Sequence, residues 1–323
     1  MATYKEIKGT NVQSFSSDPS NPLVGQVWYN TGSSVLKNKI ITQGSWASGG
    51  NMPQTLNRMA SLGTQTAALG VGGIAPGSPT VSLSSVEYNG TAWTGGGNYP
   101  ERTYGFAGTG TQTAGLAMGG RIASADGGIV TTNEYNGSSW TSGGNMNAVN
   151  RLQAASGTQT SALSFGGLPT QNVCEEYNGS SWTSGGNRNR NSYYLAGCGV
   201  QTASLAFGGP GSKTGTEEYD GSSWTNVGNM GTGGYGLGGC GIATAAIGFG
   251  GNRPGANQGN VSTEEYDGSS WTATGNMSNQ NDKMGSAGTK AAGLAFGGQG
   301  TVTLNKTEEF TGGGPATVTI TTS

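Results

Sequence analysis

Four carboxylate pairs, Glu175-Glu176, Glu217-Glu218, Glu264-Glu265 and Glu308-Glu309, are by type the residues best suited to acid/base work, since two carboxylates flanking a glycosidic bond can protonate and attack it. Their placement argues otherwise. The pairs return at equivalent places of a repeat, and neighbours in one strand point to opposite faces, so a structural role in that strand is the expectation. Catalysis would need acids that depart from the repeat; Glu101 and Asp282 do so, and nothing in the sequence pairs them. Other reactive types are scarce. The 323 residues include no His and 3 Cys, without a Cys-x-x-Cys, which excludes the usual zinc sites. Cys198 and Cys240 occupy a slot filled elsewhere by Leu62, Thr109, Ser156 and Ala287, so they read as small packing residues and no disulfide is expected. No Gly-rich stretch carries a phosphate-cradling Lys, and no cofactor is expected.

A net charge of -2 without a Lys/Arg-rich run leaves no electrostatic footprint for nucleic acid. No apolar run is long enough to cross a membrane, so no membrane insertion is expected. The segment MATYKEIKGT has no apolar h-region, which reads as a chain not exported through a cleaved signal peptide.

The elements that position these residues follow a strict period. Trp46, Trp93, Trp140, Trp182, Trp224 and Trp271 are each followed by Gly-Asn four and five residues on, and by Gly-Gly beginning twenty-six on. One small supersecondary unit stacks on copies of itself, because a single sheet cannot bury its own face. In the unit after Trp93, short apolar and small-residue runs flank Thr111-Gln112-Thr113, and a second hairpin turns at Asn136-Gly137. Asn-Gly predicts a type I′ turn, with positive φ at both central residues. Four antiparallel strands per unit, repeated radially, make a β-propeller. The Gly- and Ala-rich first strand of each unit belongs nearest the axis, and Trp and Tyr on the outer strands supply the surfaces that pack unit on unit.

Paired Gly after the second strand, Glu-Tyr-Asn/Asp in the third and Trp in the fourth resemble kelch repeats, over residues 41–310. The resemblance implies an all-β, kelch-like β-propeller of six four-stranded blades. The Arg often found just before the first kelch strand is irregular: Arg58 and Arg151 lie near that place, where other units carry Gly105, Tyr194 and Gly236. Copper oxidases of kelch type use His ligands, which this chain lacks. Two closures are open. The Trp46 strand can complete the last sheet, joining the N-terminal side to the last blade, or Ala316 to Thr322 can do so and leave Trp46 outside, in a linker hairpin or an incomplete seventh blade.

From Trp to Gly-Gly the spacing is constant, whereas from the second Gly to the next Trp it is 20, 20, 15, 15 and 20. All length variation therefore falls in the second-to-third-strand connection, on one face, and in repeat proteins such a face is often the binding face. Positions eleven and twelve after Trp should stand at the channel mouth on that face: Asn57-Arg58, Tyr104-Gly105, Arg151-Leu152, Tyr193-Tyr194, Tyr235-Gly236 and Asp282-Lys283, with Asn57, Arg58, Tyr104, Arg151, Tyr193, Tyr194, Tyr235, Asp282 and Lys283 as the candidate contact residues. Flat aromatic faces with hydrogen-bond donors suit a sugar or protein surface. The competing reading is that these side chains brace neighbouring blades.

Residues 1–33 do not follow the period; GQVWYN with SSVLKNKI reads as a short hairpin. The opening SSDPSNPLVGQVWYNTGSSVLK, with the EYNGSSWTSGGNM repeats, resembles virion proteins of tailed phages, particularly those of marine bacteria. That resemblance implies a virion location in multiple copies. It also implies an attachment segment, 1–33, carrying Pro22, Trp28 and Tyr29 and contacting other virion proteins, then a propeller, 34–315, and a C-terminal strand, 316–323. The expected function is a non-catalytic tail-fibre or adhesin subunit that binds a host-surface glycan or protein. Capsid decoration or tail cementing, and less so a glycan-active enzyme, are the alternatives.

Overall fold

The computed structural model describes residues 12–75, 80–122, 127–253, 259–300 and 304–320. Parts of the length-variable connections, residues 1–11 of the expected attachment segment and residues 321–323 of the expected C-terminal strand lie outside them. Among the described residues the chain is all-β: seven four-stranded sheets, one two-stranded ribbon and no helix. It forms two compact units, one from residues 1–44 with 312–323, the other from 45–311. The expected boundaries at 33 and 315 had placed Val35–Ile41 with the repeat and the C-terminal strand by itself. Both belong to the smaller unit, because Val35–Ile41 pairs antiparallel with Pro315–Thr319.

In the smaller unit the hairpin of Val27–Asn30 and Val35–Ile41 forms as expected, and Gln13–Phe15 adds to it in parallel. Asp18 ties the preceding loop to this sheet: Trp28 Nε1 (3.2 Å), Asn30 Nδ2 (2.6 Å) and Lys37 Nζ (2.8 Å) all donate to its carboxylate.

The larger unit holds six sheets of one design. The first consists of Ala60–Thr64, Ala67–Val71, Ser85–Tyr88 and Trp93–Gly95, in that antiparallel order. The second to fifth begin with Ala107–Thr111, Ala154–Gly157, Ala196–Val200 and Tyr235–Ile242. The sixth takes Gly285–Gly288, Ala292–Phe296 and Thr307–Thr311, and its fourth strand is Ser45–Ser48, with Trp46 opposite Phe310. Of the two pairings expected for the Trp46 strand, the structure has the one that completes the last sheet.

Each sheet clamps the one before it. Every repeat Trp donates its indole N–H to strand three of the preceding sheet, from Trp93 to Thr307 Oγ1 (2.9 Å) through Trp271 to Thr216 Oγ1 (3.0 Å), with Cys174 Sγ accepting from Trp224 (3.1 Å). The second Glu of three of the pairs accepts from a Tyr hydroxyl of the next sheet, as in Tyr219 to Glu176 (2.6 Å) and Tyr88 to Glu309 (2.6 Å), and the single Glu87 accepts from Tyr135 in the same way (2.6 Å). The first Glu is buried and caps backbone N–H groups of the preceding sheet's outgoing loop, as Glu308 does for Ser278 and Asn279. Both carboxylates thus serve the joints between sheets, on opposite faces of the strand. A third clamp was not foreseen: the Gln of the first turn reaches back to two carbonyls of the preceding sheet, as Gln112 does to Ala68 and Tyr88.

One turn differs from expectation. Tyr88 pairs with Trp93, so the Asn-Gly loop holds four residues, and only Gly90 of the two central residues has positive φ (90°). Asn89 Oδ1 instead accepts the N–H groups of Thr91 and Ala92, an Asx-type turn that needs no left-handed Asn. Asp220 and Asp267 make the same turn as carboxylates. Hydrogen bonds from Ser223 and Ser222 hold the Asp220 carboxyl down to about 2, and those from Ser270 and Ser269 hold Asp267 lower still. A depressed folded-state pKa gives stability that is present above the unfolded value, about 3.9, and lost as pH falls through the folded value. Asp220→Asn with Asp267→Asn should therefore narrow the difference between urea midpoints measured at neutral pH and at roughly pH 2. An unchanged difference would show that these turns contribute nothing to acid sensitivity.

Candidate functional site

The expected mouth residues are held by a backbone device that their side-chain types conceal. Twelve residues after each Trp, the chain turns into the left-handed region: φ is 54° at Arg58, 63° at Gly105, 61° at Leu152, 50° at Tyr194, 67° at Gly236 and 53° at Lys283. There each N–H donates to the carbonyl of its counterpart in the preceding sheet. Gly105 bonds to Arg58 (2.8 Å), Leu152 to Gly105 (2.6 Å), Tyr194 to Leu152 (2.8 Å), Gly236 to Tyr194 (2.7 Å), Lys283 to Gly236 (2.8 Å) and Arg58 back to Lys283 (2.9 Å). The six bonds form a closed cycle. A cavity of about 160 Å³ lies against it, with Ser61, Gly108, Ala155, Gly197, Gly239 and Ser286, three residues further along, as its next layer.

Side chains at four of these six places come at a cost. An L-residue in the left-handed region is disfavoured by about 1–2 kcal/mol, and Gly105 and Gly236 show that the cycle closes without side chains. Strained positions of this kind cluster at ligand clamps. Arg58 and Tyr194 stand three steps apart on the six-membered cycle, yet the Arg58 guanidinium carbon is 5.8 Å from the Tyr194 ring centroid. Lys283 Nζ is also 5.8 Å from that centroid. Their side chains therefore reach across the cycle toward one aromatic ring. Tyr193 (5.8 Å) and Tyr235 (6.3 Å) place two further rings beside Tyr194.

Burial, with a further push from the Asp282 carboxylate, holds the Tyr194 hydroxyl up at about 12, against the opposing pull of Arg58 and Arg151. It is therefore a neutral hydrogen-bond donor at neutral pH. Asp282 is buried, 1% exposed, and burial raises its carboxyl despite nearby Lys283. Lys283 Nζ stands 3.1 Å from Asp282 Oδ2, yet that oxygen accepts no hydrogen bond. Arg58 Nε is likewise buried without a protein partner.

The structure thus brings Arg58, Tyr193, Tyr194, Tyr235, Asp282 and Lys283 together, with Arg151 acting on Tyr194 through its charge. Others brace. Asn57 is buried and donates to Gln299, just beyond the second strand of the sixth sheet (3.2 Å), and Tyr104 lies under the Arg121 guanidinium (5.9 Å) in the two-stranded ribbon. In the smaller unit Trp28 is fully buried, so it organises the segment and presents no surface to a partner. Tyr29 is exposed and Pro22 half-buried. Gly105, Leu152 and Gly236 stand at the same expected place, but no shared side-chain type marks the backbone role they have in common. Among the described residues no three His, Cys, Asp or Glu side chains gather as a metal site would require.

No protein-family model matches the chain, and no curated protein matches it in sequence.

Proposed function

We propose that this chain is a non-catalytic surface protein of a tailed-phage virion, in which residues 45–311 form a six-bladed kelch-like propeller. The propeller's mouth binds a host-surface glycan or protein. The observation that carries the binding reading is the cluster at the mouth. A hydrogen-bonded cycle that closes with Gly at two places carries Arg58, Tyr194 and Lys283 at three others, in strained backbone, with their side chains converging.

The propeller reading rests on the closed cycle and on the Trp46 strand, which supplies the fourth strand of the sixth sheet. The non-catalytic reading draws on the engagement of the paired carboxylates at the joints between sheets. Attachment of the smaller unit to other virion proteins draws on its exposed apolar side chains, including Leu23 (73%) and Val24 (56%). The same feature favours the second reading, an architectural role in the virion, and the chain's position in a reconstructed particle separates the two: distal for adhesion, within a lattice for architecture.

Binding of the labelled full chain to bacterial cells and envelope polysaccharides tests the leading reading. Combined Tyr193→Ala, Tyr194→Ala and Tyr235→Ala substitutions should lower that binding at least tenfold, with thermal midpoints serving as the control for folding. Retention of full binding by this variant would remove the mouth as the binding site.

A further inference from the structure

The charge at the mouth says more about what would bind there. Arg58, Lys283 and Arg151 set three cationic side chains against the one carboxylate of Asp282, in a chain whose net charge is -2. The local sign is thus opposite to that of the whole, and a recessed site lined by one sign concentrates ligands of the other. The backbone of the cycle cannot supply the anion contacts, because each of its N–H groups is spent on the carbonyl of its counterpart in the preceding sheet. Side chains must do so. The Arg58 Nε–H is buried and unpartnered, and a guanidinium edge matches two oxygens of a carboxylate or sulfate at once.

Size narrows the choice further. Pockets that enclose a whole small ligand run from about 300 to 1,000 Å³, whereas this cavity is about 160 Å³. It can admit a charged substituent but not the sugar that bears it. The sugar ring would remain outside, against the faces of Tyr193 and Tyr235.

We infer that the group recognised at this mouth is the carboxylate or sulfate of an acidic saccharide, received between Arg58 and Lys283 above the Tyr194 ring. This rests on the host-binding reading above and specifies its ligand. The anion takes the open donor of Arg58 and competes with Asp282 for Lys283. Tyr194 fixes both cations in position and offers its hydroxyl as a neutral donor.

Titration calorimetry of the full chain with a uronic-acid oligosaccharide, its carboxyl-reduced counterpart and a sulfated form of the latter tests this directly. At least one charged oligosaccharide should bind tenfold or more tightly than the reduced one, and the two charged arms tell carboxylate from sulfate. Raising salt from about 50 to about 300 mM should weaken that binding, since exposed charge pairs are screened. Arg58→Gly and Lys283→Gly should each lower affinity for the charged oligosaccharide about tenfold, while their thermal midpoints hold or rise, because Gly relieves the left-handed backbone. Lys39→Gln, in the smaller unit, should change nothing.

Equal binding of charged and reduced oligosaccharides, or unchanged affinity in both Gly variants, overturns the inference. If cells bind and the triple Tyr variant abolishes that binding while neither charged oligosaccharide binds, anion recognition falls and the host-binding reading stands. If neither cells nor any oligosaccharide binds, both fall.

Discussion

Replacing Glu217 with Ala should destabilise the protein by about 3–5 kcal/mol, the usual cost of leaving a buried charge without its partner, while Arg188→Met should shift stability by no more than about 1 kcal/mol. Arg188 and Glu217 form an ion pair of 2.7 Å at the joint between the third and fourth sheets, with side chains 1% and 0% exposed. Burial pulls the Arg188 pKa below its ordinary value, and the Glu217 carboxylate opposes that pull. The guanidinium lies 5.7 Å from the Trp224 ring, and its Nε and Nη1 have no hydrogen-bond partner. Replacing such a pair whole by apolar side chains is often neutral, whereas removing one member leaves the other charge buried, so the outcome of Arg188→Met turns on what else holds Glu217.

The repeat shows what can hold such a Glu. Met146, Met230 and Met277 occupy the place of Arg188 at three other joints, and the Glu facing each of them is satisfied without a cation, by two backbone N–H groups and one side chain: Glu175 by Asn147 and Ala148, Glu264 by Gly231 and Thr232, Glu308 by Ser278 and Asn279, with Asn147, Thr232 and Asn279 adding their side chains. Glu217 already accepts the Asn189 N–H at 2.8 Å. In Arg188→Met the carboxylate keeps that bond, and the thioether fills the space against Trp224. Urea unfolding of both variants, with slopes compared to confirm a common denatured state, checks the contrast. A large loss in Arg188→Met would show that the ion pair is a net stabiliser.

How much of this was legible in the sequence depends on whether a role imposes one residue type. The Trp and Gly-Gly series imposed theirs, so strand count, strand order and the packing of Trp between sheets could be read directly, though not that Trp reaches back to the preceding sheet. The paired Glu could be read as structural from recurrence alone. The hydrogen-bonded cycle could not. Its six members are Arg, Gly, Leu, Tyr, Gly and Lys, united only by a backbone angle that Gly adopts freely and the others adopt under strain. Treating positions eleven and twelve as one ring blurred a real division: position twelve builds the cycle, while Asn57 and Tyr104 at position eleven pair sideways with Gln299 and Arg121. The type I′ expectation failed because Asn can satisfy a turn through its side-chain oxygen as well as through its backbone conformation.

Trp46→Ala should open one joint without opening the others. The sixth sheet is the only repeat sheet whose fourth strand comes from the far end of the unit, so no hairpin links Ser45–Ser48 to its neighbour Thr307–Thr311. The same sheet presents Phe310 where others present Tyr, so no hydroxyl reaches Glu265; Lys290 approaches that carboxylate at 3.6 Å instead. Trp46 therefore carries much of this joint, donating to Thr263 Oγ1 (2.9 Å) and packing on Phe249 (4.9 Å between centroids) and Phe310 (5.2 Å). Truncating a Trp costs about 3–5 kcal/mol, and the half-buried Trp46 belongs at the lower end. Cys240 lies in the same apolar cluster, whereas Cys174 lies in the cluster around Trp224. Both thiols are free, and burial raises both pKa values, that of Cys174 to about 12. Modification therefore awaits local opening. Since about 1.4 kcal/mol is a factor of ten in an equilibrium constant, a loss of roughly 3 kcal/mol at this joint should speed labelling of Cys240 by disulfide exchange about a hundredfold. Labelling of Cys174 should stay near the wild-type rate. Equal acceleration at the two thiols would mean that the six sheets open together and that the joint made by Ser45–Ser48 is no weaker than the rest.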